Sequence, residues 1–492
     1  MNLQPLFRQI LAHADVPGTA GKTAVAWGDR SLSYGELGRA VRNRAALLGS
    51  GYGVAAGERV ALLAESDGDF VATYLAVHSL GGICAPLDPR TPPDRLLRVI
   101  EKLSPCVTVS RNPLAAEVRH QARYTELAGR IGGSSAPSVD VSLDRTADIL
   151  FTTGTTADPK GVVLSHRALA TACAHINRFI GTTPDAVEVL PLLLNHSFGL
   201  GRMRCVLSLG ATLVLVPGFA NAGRVIAALA QHRATGFASV PAGIAILLSD
   251  GEALAHFADQ LDYVEIGSSA MPIEQKRRLM ELLPNTRLCM HYGLTEASRS
   301  VFLEFHGDGE KLDSIGRPSP GVELRIADES GESLRCGETG QIEVRGGHLM
   351  SGYWRDPELT ANTLRAGWLR TGDLGRQDAD GYVFLEARAD DVINVGGRKV
   401  LPQEIEEILE RHPAIADCAC AGIPDPQGLS GEMVAVWLVP GRPDGELPAF
   451  SELAKLLRQK LEPYKTPRRF FWTDRIPRSS AGKLLRRELR EL

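Results

Sequence analysis

Asp148-Ile-Leu-Phe-Thr-Thr-Gly-Thr-Thr-Ala-Asp-Pro-Lys-Gly-Val-Val-Leu-Ser-His166 is the stretch from which the rest of the chain is read. Ile149, Leu150 and Phe151 are apolar and partly β-branched, as at the end of a buried strand. Thr152, Thr153, Thr155 and Thr156 then surround Gly154, and Pro159-Lys160-Gly161 close a hydroxyl-rich loop before Ser165, which is placed to cap a following helix. Such a loop offers backbone N–H groups, hydroxyls and one ammonium to a polyanion, and Gly154 lets the backbone approach it closely. It is not a Walker A loop, because no G-x-x-x-x-G-K-[ST] runs through it or occurs elsewhere in the chain.

On both sides of this loop the sequence alternates strand and helix. Val25–Tyr34 reads as strand, turn and strand, after which Ser33 caps a helix through Leu37, Val41, Ala45 and Leu48. Arg59–Ala64, Ile83–Leu87 and Val107–Val109 read as buried strands separated by helical segments. Beyond the loop come strands at 211–216, 236–240, 263–266 and 288–291, with helices at 224–232 and 273–283. This rhythm predicts parallel, doubly wound sheets with helices on both faces. Residues 111–147 are polar and rich in Ser, Gly and Pro, and are read as a linker. From Gly316 the texture changes to short strands with Gly-rich turns (322–326, 340–344, 382–385), a small β-rich subdomain over about 316–388. A final α+β unit begins near Asp390. Its helix Pro402–His412 has Pro at the start, acids in the first turn and Ile405, Ile408 and Leu409 on one face; strands 416–421 and 433–439 and a helix 451–461 follow. The expected division is therefore 1–389 and 390–492.

Composition excludes several classes. Length favours more than one domain, and 44% apolar with 23% charged residues is ordinary for a soluble enzyme. A net charge of −4 gives no electrostatic reason to expect a nucleic-acid or membrane partner. The eight cysteines lack metal-ligand spacing, Cys418 and Cys420 being C-x-C in a strand-like run, and read as reduced core thiols of a cytoplasmic protein. Neither a signal pattern nor a membrane span is found; the run Cys205–Gly223 is broken by Gly210, Pro217 and Gly218. Between Lys455 and Arg490 twelve Lys and Arg face three acids. That excess reads either as a solvated face or as a surface for nucleotide phosphates, coenzyme A or an acidic carrier protein.

The order of residues in the opening loop resembles the phosphate-loop signature of the adenylate-forming superfamily (acyl-CoA synthetases, aryl and peptide-synthetase adenylation domains, luciferases), [ST]-[ST]-G-[ST]-[ST]-G-x-P-K-G, with Ala157 at the second glycine. Further motifs follow in the superfamily's order, so the resemblance spans roughly residues 20–490. Tyr292-Gly-Leu-Thr-Glu296 matches Y-G-x-T-E. It implies Tyr292 on the purine, Thr295 on a phosphate oxygen and Glu296 on Mg²⁺, with His291 and Gly293 beside the nucleotide. Gly267-Ser-Ser-Ala-Met-Pro272 is similar to the small-residue strand end next to adenine, which places Ser268, Ser269 and Ala270 there. Thr371-Gly-Asp373 resembles the ribose-binding T-G-D, and Leu385–Gly397 resembles the G-R-x-[DK]-D hinge, with Ala387 in place of its glycine. By that match Arg388 holds ribose or phosphate oxygens, Asp390 is the hinge, and Gly396 and Gly397 form the loop used with the thiol acceptor. Ile476–Arg487 resembles P-[RK]-[ST]-x-[ST]-G-K-[IL]-x-R-R, which makes Lys483 the lysine bridging carboxylate and α-phosphate.

Leu190-Pro-Leu-Leu-Leu-Asn-His-Ser-Phe-Gly-Leu200 resembles the P-L-x-H-x-x-G segment of acyl-CoA and aryl-CoA ligases. It puts His196, Ser197, Phe198 and Gly201 around the acid, with Ser239, Val240, Gly267, Gly293 and Leu294 as further lining residues. No Asp stands where amino-acid-activating domains place one, which points to an uncharged aryl or aliphatic tail. The resemblance implies ATP-dependent, Mg²⁺-assisted formation of an acyl-adenylate and then of a thioester with coenzyme A or a carrier-protein phosphopantetheine. The chemistry asks for the same parts: a carboxylate must meet a phosphate, and each like-charge contact at about 4 Å costs roughly 4 kcal/mol at an effective dielectric near 20. One lysine and one divalent ion answer that need. A half-reaction specialist or a nucleotide-binding regulator is the alternative that the two alanines raise.

Overall fold

The computed structural model of the chain describes all residues except 1–2, 115–116, 119, 129–138, 153–158, 220, 250, 389–390, 396–397, 427–431, 442–446, 479–483 and 491–492. It divides into two compact units, one of residues 1–323 and 344–369, the other of 324–343 and 370–492.

The first unit holds two large sheets. One has seven strands in the order Gly352–Tyr353, Lys160–Ser165, Thr146–Thr152, Ile83–Leu87, Arg59–Leu63, Val107–Ser110 and Gln121–Arg123. Its five strands from Thr146–Thr152 to Gln121–Arg123 are parallel and its first two are added antiparallel. The other sheet has nine strands, and Arg287–Tyr292, Tyr263–Ile266, Gly236–Ser239, Val187–Leu190, Thr212–Leu215 and Thr23–Trp27 form its parallel centre. Apart from Arg287–Tyr292, whose end is half-buried, these strands are nearly continuous runs of buried residues, as expected where helices cover both faces of a sheet. Helix starts follow local chemistry. Ser33 and Glu36 form a capping box on Tyr34–Tyr52, and the Ser165 hydroxyl accepts from Ala168 N (3.1 Å) at the head of His166–Ile180.

Two expectations change. The segment taken as a linker contains the strand Gln121–Arg123 and the helix Tyr124–Leu127, held by buried Tyr124, whose hydroxyl donates to Leu63 O (2.9 Å). Three strand residues are too few to display a period, so composition hid them. Lys160–Ser165 is likewise a strand, so the Thr-rich segment joins two antiparallel strands rather than a strand and a helix.

The strands 323–327, 340–345 and 368–377, which belong mainly to the second unit, lie side by side, and Val383–Arg388 pairs with the last. A further sheet, Ile415–Pro424, Glu432–Pro440 and Arg469–Trp472, carries helices Pro402–Glu410 and Phe450–Arg458. Alternation places Cys418 and Cys420 in a core with Ile405, Leu409, Val436 and Leu457, while Ala419, Ala421 and Trp437 face Ile476 and Leu489. All eight cysteines are free thiols; Cys336 is exposed and Cys106 half-buried, so only the other six are core residues. Four of the C-terminal cations are ion-paired: Lys465 with Glu404, Arg478 with Asp417, Arg486 with Glu406 and Arg490 with Glu432. Among the described residues no helix is long and apolar enough to cross a membrane.

Candidate active site

Four neighbouring parallel strands of the nine-stranded sheet end at one rim, where open α/β sheets present ligand sites. In sheet order, Arg287–Tyr292 leads into Gly293–Glu296, Tyr263–Ile266 into Gly267–Ala270, Gly236–Ser239 into Val240, and Val187–Leu190 into the loop ending at His196. Residues far apart in sequence thus meet because strand order, not chain order, decides who is adjacent. Ser268 has φ +83°, a left-handed conformation that costs a serine about 1 kcal/mol or more and is typical of backbones held for function. It lies beyond Gly267, where a β-carbon would overlap the His291 ring. Residues 291–296 are half-buried, as a rim requires.

In the seven-stranded sheet Thr146–Thr152 and Lys160–Ser165, the strands on either side of the Thr-rich segment, are neighbours. Thr152 pairs with Lys160, so the two ends of the loop are fastened to each other. Lys160–Ser165 is flanked by Gly352–Tyr353, and Trp354 N donates to Gly161 O (2.7 Å). Through this neighbour the hairpin reaches the Glu296 turn: the Tyr353 hydroxyl donates to Glu296 Oε1 (2.8 Å), and Met350 N donates to Glu296 O (2.8 Å). Burial and the adjacent Glu296 carboxylate both push the Tyr353 phenol up, so it stays a donor. Sequence reading missed Tyr353; the Gly-Tyr-Trp run after a polar turn was its signal. With one oxygen bonded to Tyr353, Glu296 keeps a second for a hard cation. A single carboxylate completed by phosphate oxygens and water suits Mg²⁺.

His196 is the N-cap of helix Ser197–Ser208, with extended backbone. Burial lowers its pKa, and the nearby Asp88 carboxylate offsets only part of this, so the ring is neutral at pH 7. Asp88 is bound by Arg90 through Nε (3.0 Å) and Nη2 (2.8 Å). This Asp–Arg pair, in the loop after Ile83–Leu87, is a second feature that the motifs did not announce.

Beneath the rim lies a fully buried ionic cluster. Glu265 receives Arg299 Nε (3.1 Å), faces His291 Nδ1 (2.8 Å) and pairs with Arg202 Nε (3.3 Å), which also binds Glu188. Burial works against the Glu265 charge, but Arg299, His291 and Arg202 together outweigh it and hold the carboxyl below its ordinary range. His291, expected beside the nucleotide, turns its ring to Glu265 and edge-on to Phe198 (4.6 Å between centroids). The Ser239 hydroxyl is buried and donates to Val240 O (3.0 Å). Ser197, Gly201 and Thr295 share the wall of a small cavity between the helices His166–Ile180 and Ser197–Ser208.

In the second unit Thr371–Asp373 belongs to the strand 368–377 rather than to a turn. Thr371 Oγ1 donates to Ile342 O (2.8 Å) and accepts from Asp373 N (3.1 Å), and buried Asp373 stands opposite the Arg388 backbone. Ala387 pairs with Leu374 in this strand, a setting in which alanine is as suitable as glycine. Thr153, Gly154, Thr155, Thr156, Ala157, Asp390, Gly396, Gly397, Lys483 and the Arg388 side chain lie outside the described residues. One buried trio, His78, Cys84 and Asp148, has ligand atoms close together. Arg204 Nη1, 2.6 Å from Asp148 Oδ2, puts a positive charge where a metal ion would have to sit.

Known proteins share this fold. Residues 13–354 match the family of AMP-binding enzymes, and residues 404–483 match the AMP-binding enzyme C-terminal domain. A feruloyl-CoA synthase of Amycolatopsis sp is 32% identical over 477 residues, 95% of each chain. ATP-bound MatB from Rhodopseudomonas palustris is 28% identical with a TM-score of 0.89, covering 99% of this chain and 98% of its own. The o-succinylbenzoate CoA synthetase of Bacillus subtilis, solved with its acyl-adenylate, is 25% identical with a TM-score of 0.88, covering 100% and 99%. Matched along both parts of its length and in fold, the chain belongs to the AMP-binding enzyme family of adenylate-forming ligases.

Proposed function

We propose that the protein activates a carboxylic acid with an aryl or aliphatic tail, and not an α-amino acid, as its acyl-adenylate and then passes the acyl group to coenzyme A. The observation that carries this reading is the convergence of four parallel strand ends, bearing His196, Ser239, Gly267–Ser268 and Tyr292–Glu296, on one rim. The acid's carboxylate oxygen attacks the α-phosphorus of ATP and pyrophosphate leaves; the thiolate then attacks the acyl carbon, expelling AMP and leaving a thioester. Lys160 and the loop 152–161 bind the polyphosphate, Thr295 a phosphate oxygen, and Asp373 the ribose hydroxyls. Glu296 would hold Mg²⁺, which supplies neutralising charge to the polyphosphate. Lys483 screens carboxylate from phosphate in the first step. The second step has no use for that cation, so residues from 390 onward turn about Asp390 and bring in Gly396 and Gly397.

The test is pyrophosphate release over a panel of acids, with coenzyme A added or withheld. Lys483→Ala abolishes acid-dependent release on this reading; survival of release removes Lys483 from its role. Asp390→Pro stalls thioester formation while sparing release, and equal loss of both defeats the hinge. A carrier protein that is loaded where coenzyme A is not would replace the acceptor, and ATP binding without release on any acid would mark a nucleotide-binding regulator.

A further inference from the structure

Gly201 and Gly267, two of the three glycines placed on the acid side of the rim, open no hole. A β-carbon at Gly201 would overlap the Arg299 guanidinium, and one at Gly267 the His291 ring. Arg299 is itself a built feature. It has φ +54°, unusual for a residue with a β-carbon, and is 2% exposed. Its guanidinium binds Glu265, the carbonyls of Ser197 and Phe198 (3.1 Å each) and Ser298 Oγ (3.0 Å), and lies over the Phe198 ring at 4.8 Å. The same side chain forms part of the wall of the cavity between the two helices, whose other walls include apolar Leu169, Ala172 and Ile176. That cavity holds about 20 Å³, room for roughly one water molecule.

We propose that Arg299, pinned by Glu265, is a specificity-determining plug: packed against Gly201 and over the Phe198 ring, it fills the space into which the acid's tail would extend and restricts the enzyme to compact acids, short aliphatic or single-ring ones. The inference rests on the acid-activating function proposed above and names the substrate class for that site. An extended tail has two ways past the plug. It can displace a guanidinium with four polar partners and leave Glu265 a buried, under-compensated carboxylate, or it can remain in water. Each buried methylene contributes too little for a few of them to offset that disruption.

The test compares kcat/KM for acid-dependent pyrophosphate release on butyrate, hexanoate, decanoate, benzoate and 6-phenylhexanoate. It is paired with thermal shifts by butyryl- and decanoyl-sulfamoyladenosine, which read binding without turnover. Wild type should lose at least tenfold between hexanoate and decanoate. Glu265→Gln/Arg299→Ala, which removes one charge of each sign, should raise the decanoate-to-butyrate ratio at least tenfold and increase the decanoyl analogue's thermal shift relative to the butyryl one. Arg299→Lys keeps the charge but cannot span both carbonyls, and should move the ratio a smaller distance the same way; it decides the matter if the double variant does not fold. Wild-type turnover of decanoate equal to that of butyrate overturns the plug, as does an unchanged ratio in a folded variant. No release with any acid overturns the acid-activating reading and the plug with it, whereas release with an unchanged ratio overturns the plug alone.

Discussion

Arg202 and Arg204 stand two residues apart on helix Ser197–Ser208, both buried, and they serve different sheets. Positions i and i+2 on a helix point to nearly opposite sides. Arg204 reaches Asp148 on the strand that feeds the Thr-rich loop (2.6 Å) and accepts company from Tyr74 and His78, which donate to the same carboxylate at 2.9 and 3.0 Å. Arg202 reaches Glu188 and Glu265 on two strands of the nine-stranded sheet, with Tyr263 and Thr182 hydroxyls alongside. The first cluster is one carboxylate with three donors; the second is a chain of two carboxylates and two arginines that continues to the Ser197 and Phe198 carbonyls. One helix therefore ties the strand Thr146–Thr152 to the rim, and the two ties differ in how much charge depends on one residue.

Arg202→Met is expected to have the largest effect. It leaves Glu188 with the Tyr263 hydroxyl (2.6 Å) and takes one of the cations from Glu265, both in a fully buried setting where breaking such a pair costs about 3–5 kcal/mol. Arg204→Met leaves Asp148 with two donors in place and should lose less, about 2 kcal/mol, in the range for removal of a charged hydrogen bond. Urea unfolding of the two variants measures the difference directly; equal losses would mean that the clusters are equivalent clamps. Arg202→Met/Glu188→Met should recover much of the first loss, because an apolar replacement of both partners avoids the stranded charge.

Each cluster also has a neutral histidine beside it, and acid should sharpen the contrast. His166, whose ring is 5.1 Å from that of His78, is lowered to about 3 by burial and by His78; His348, which joins Arg299 in the cavity wall and whose Nε2 lies 3.0 Å from Ser300 Oγ, is lowered to about 4, mainly by burial. With an unfolded value of 6.5, the unfolded chain takes up these protons as the pH falls below about 6.5 while the native state does not. Stability is therefore lost between pH 6.5 and about 4, by on the order of 2–3 kcal/mol for each histidine. Thermal midpoints at pH 7, 5 and 4 should show this slope, reduced in His348→Gln and in His166→Gln; an unaltered slope in both would place the acid sensitivity elsewhere.

These clusters mark the boundary of what the sequence could disclose. Motif residues were legible because their types and order are tied to chemistry: Tyr292–Glu296 could be placed at the end of the strand 288–291 before any coordinates, and His196 was named by its motif. Glu265 was not. In Tyr263-Val-Glu-Ile266 a period-two reading sends the carboxylate to solvent, yet a parallel sheet covered on both faces buries it, and its partners are 26 to 77 positions away in Arg299, His291, Arg202 and, through Arg202, Glu188. The same non-locality hid Lys160–Ser165 as a strand, since its pairing with 146–152 and with 352–353 is settled by tertiary contacts.

Tyr353 is the smallest of these non-local effects and the most specific. Tyr353→Phe removes one hydroxyl from Glu296 and leaves the ring's packing intact, so the stability change should stay near 1 kcal/mol, the net worth of an ordinary hydrogen bond. The consequence belongs to the carboxylate's orientation. A Glu296 no longer held on one oxygen samples more rotamers and binds a divalent ion less well. The Mg²⁺ concentration for half-maximal pyrophosphate release should rise several-fold, with release at saturating Mg²⁺ close to wild type, while Glu296→Gln loses release at every Mg²⁺ concentration. An unchanged Mg²⁺ midpoint in Tyr353→Phe would mean that the strand Gly352–Tyr353 steadies the hairpin alone and that Glu296 finds its position without it.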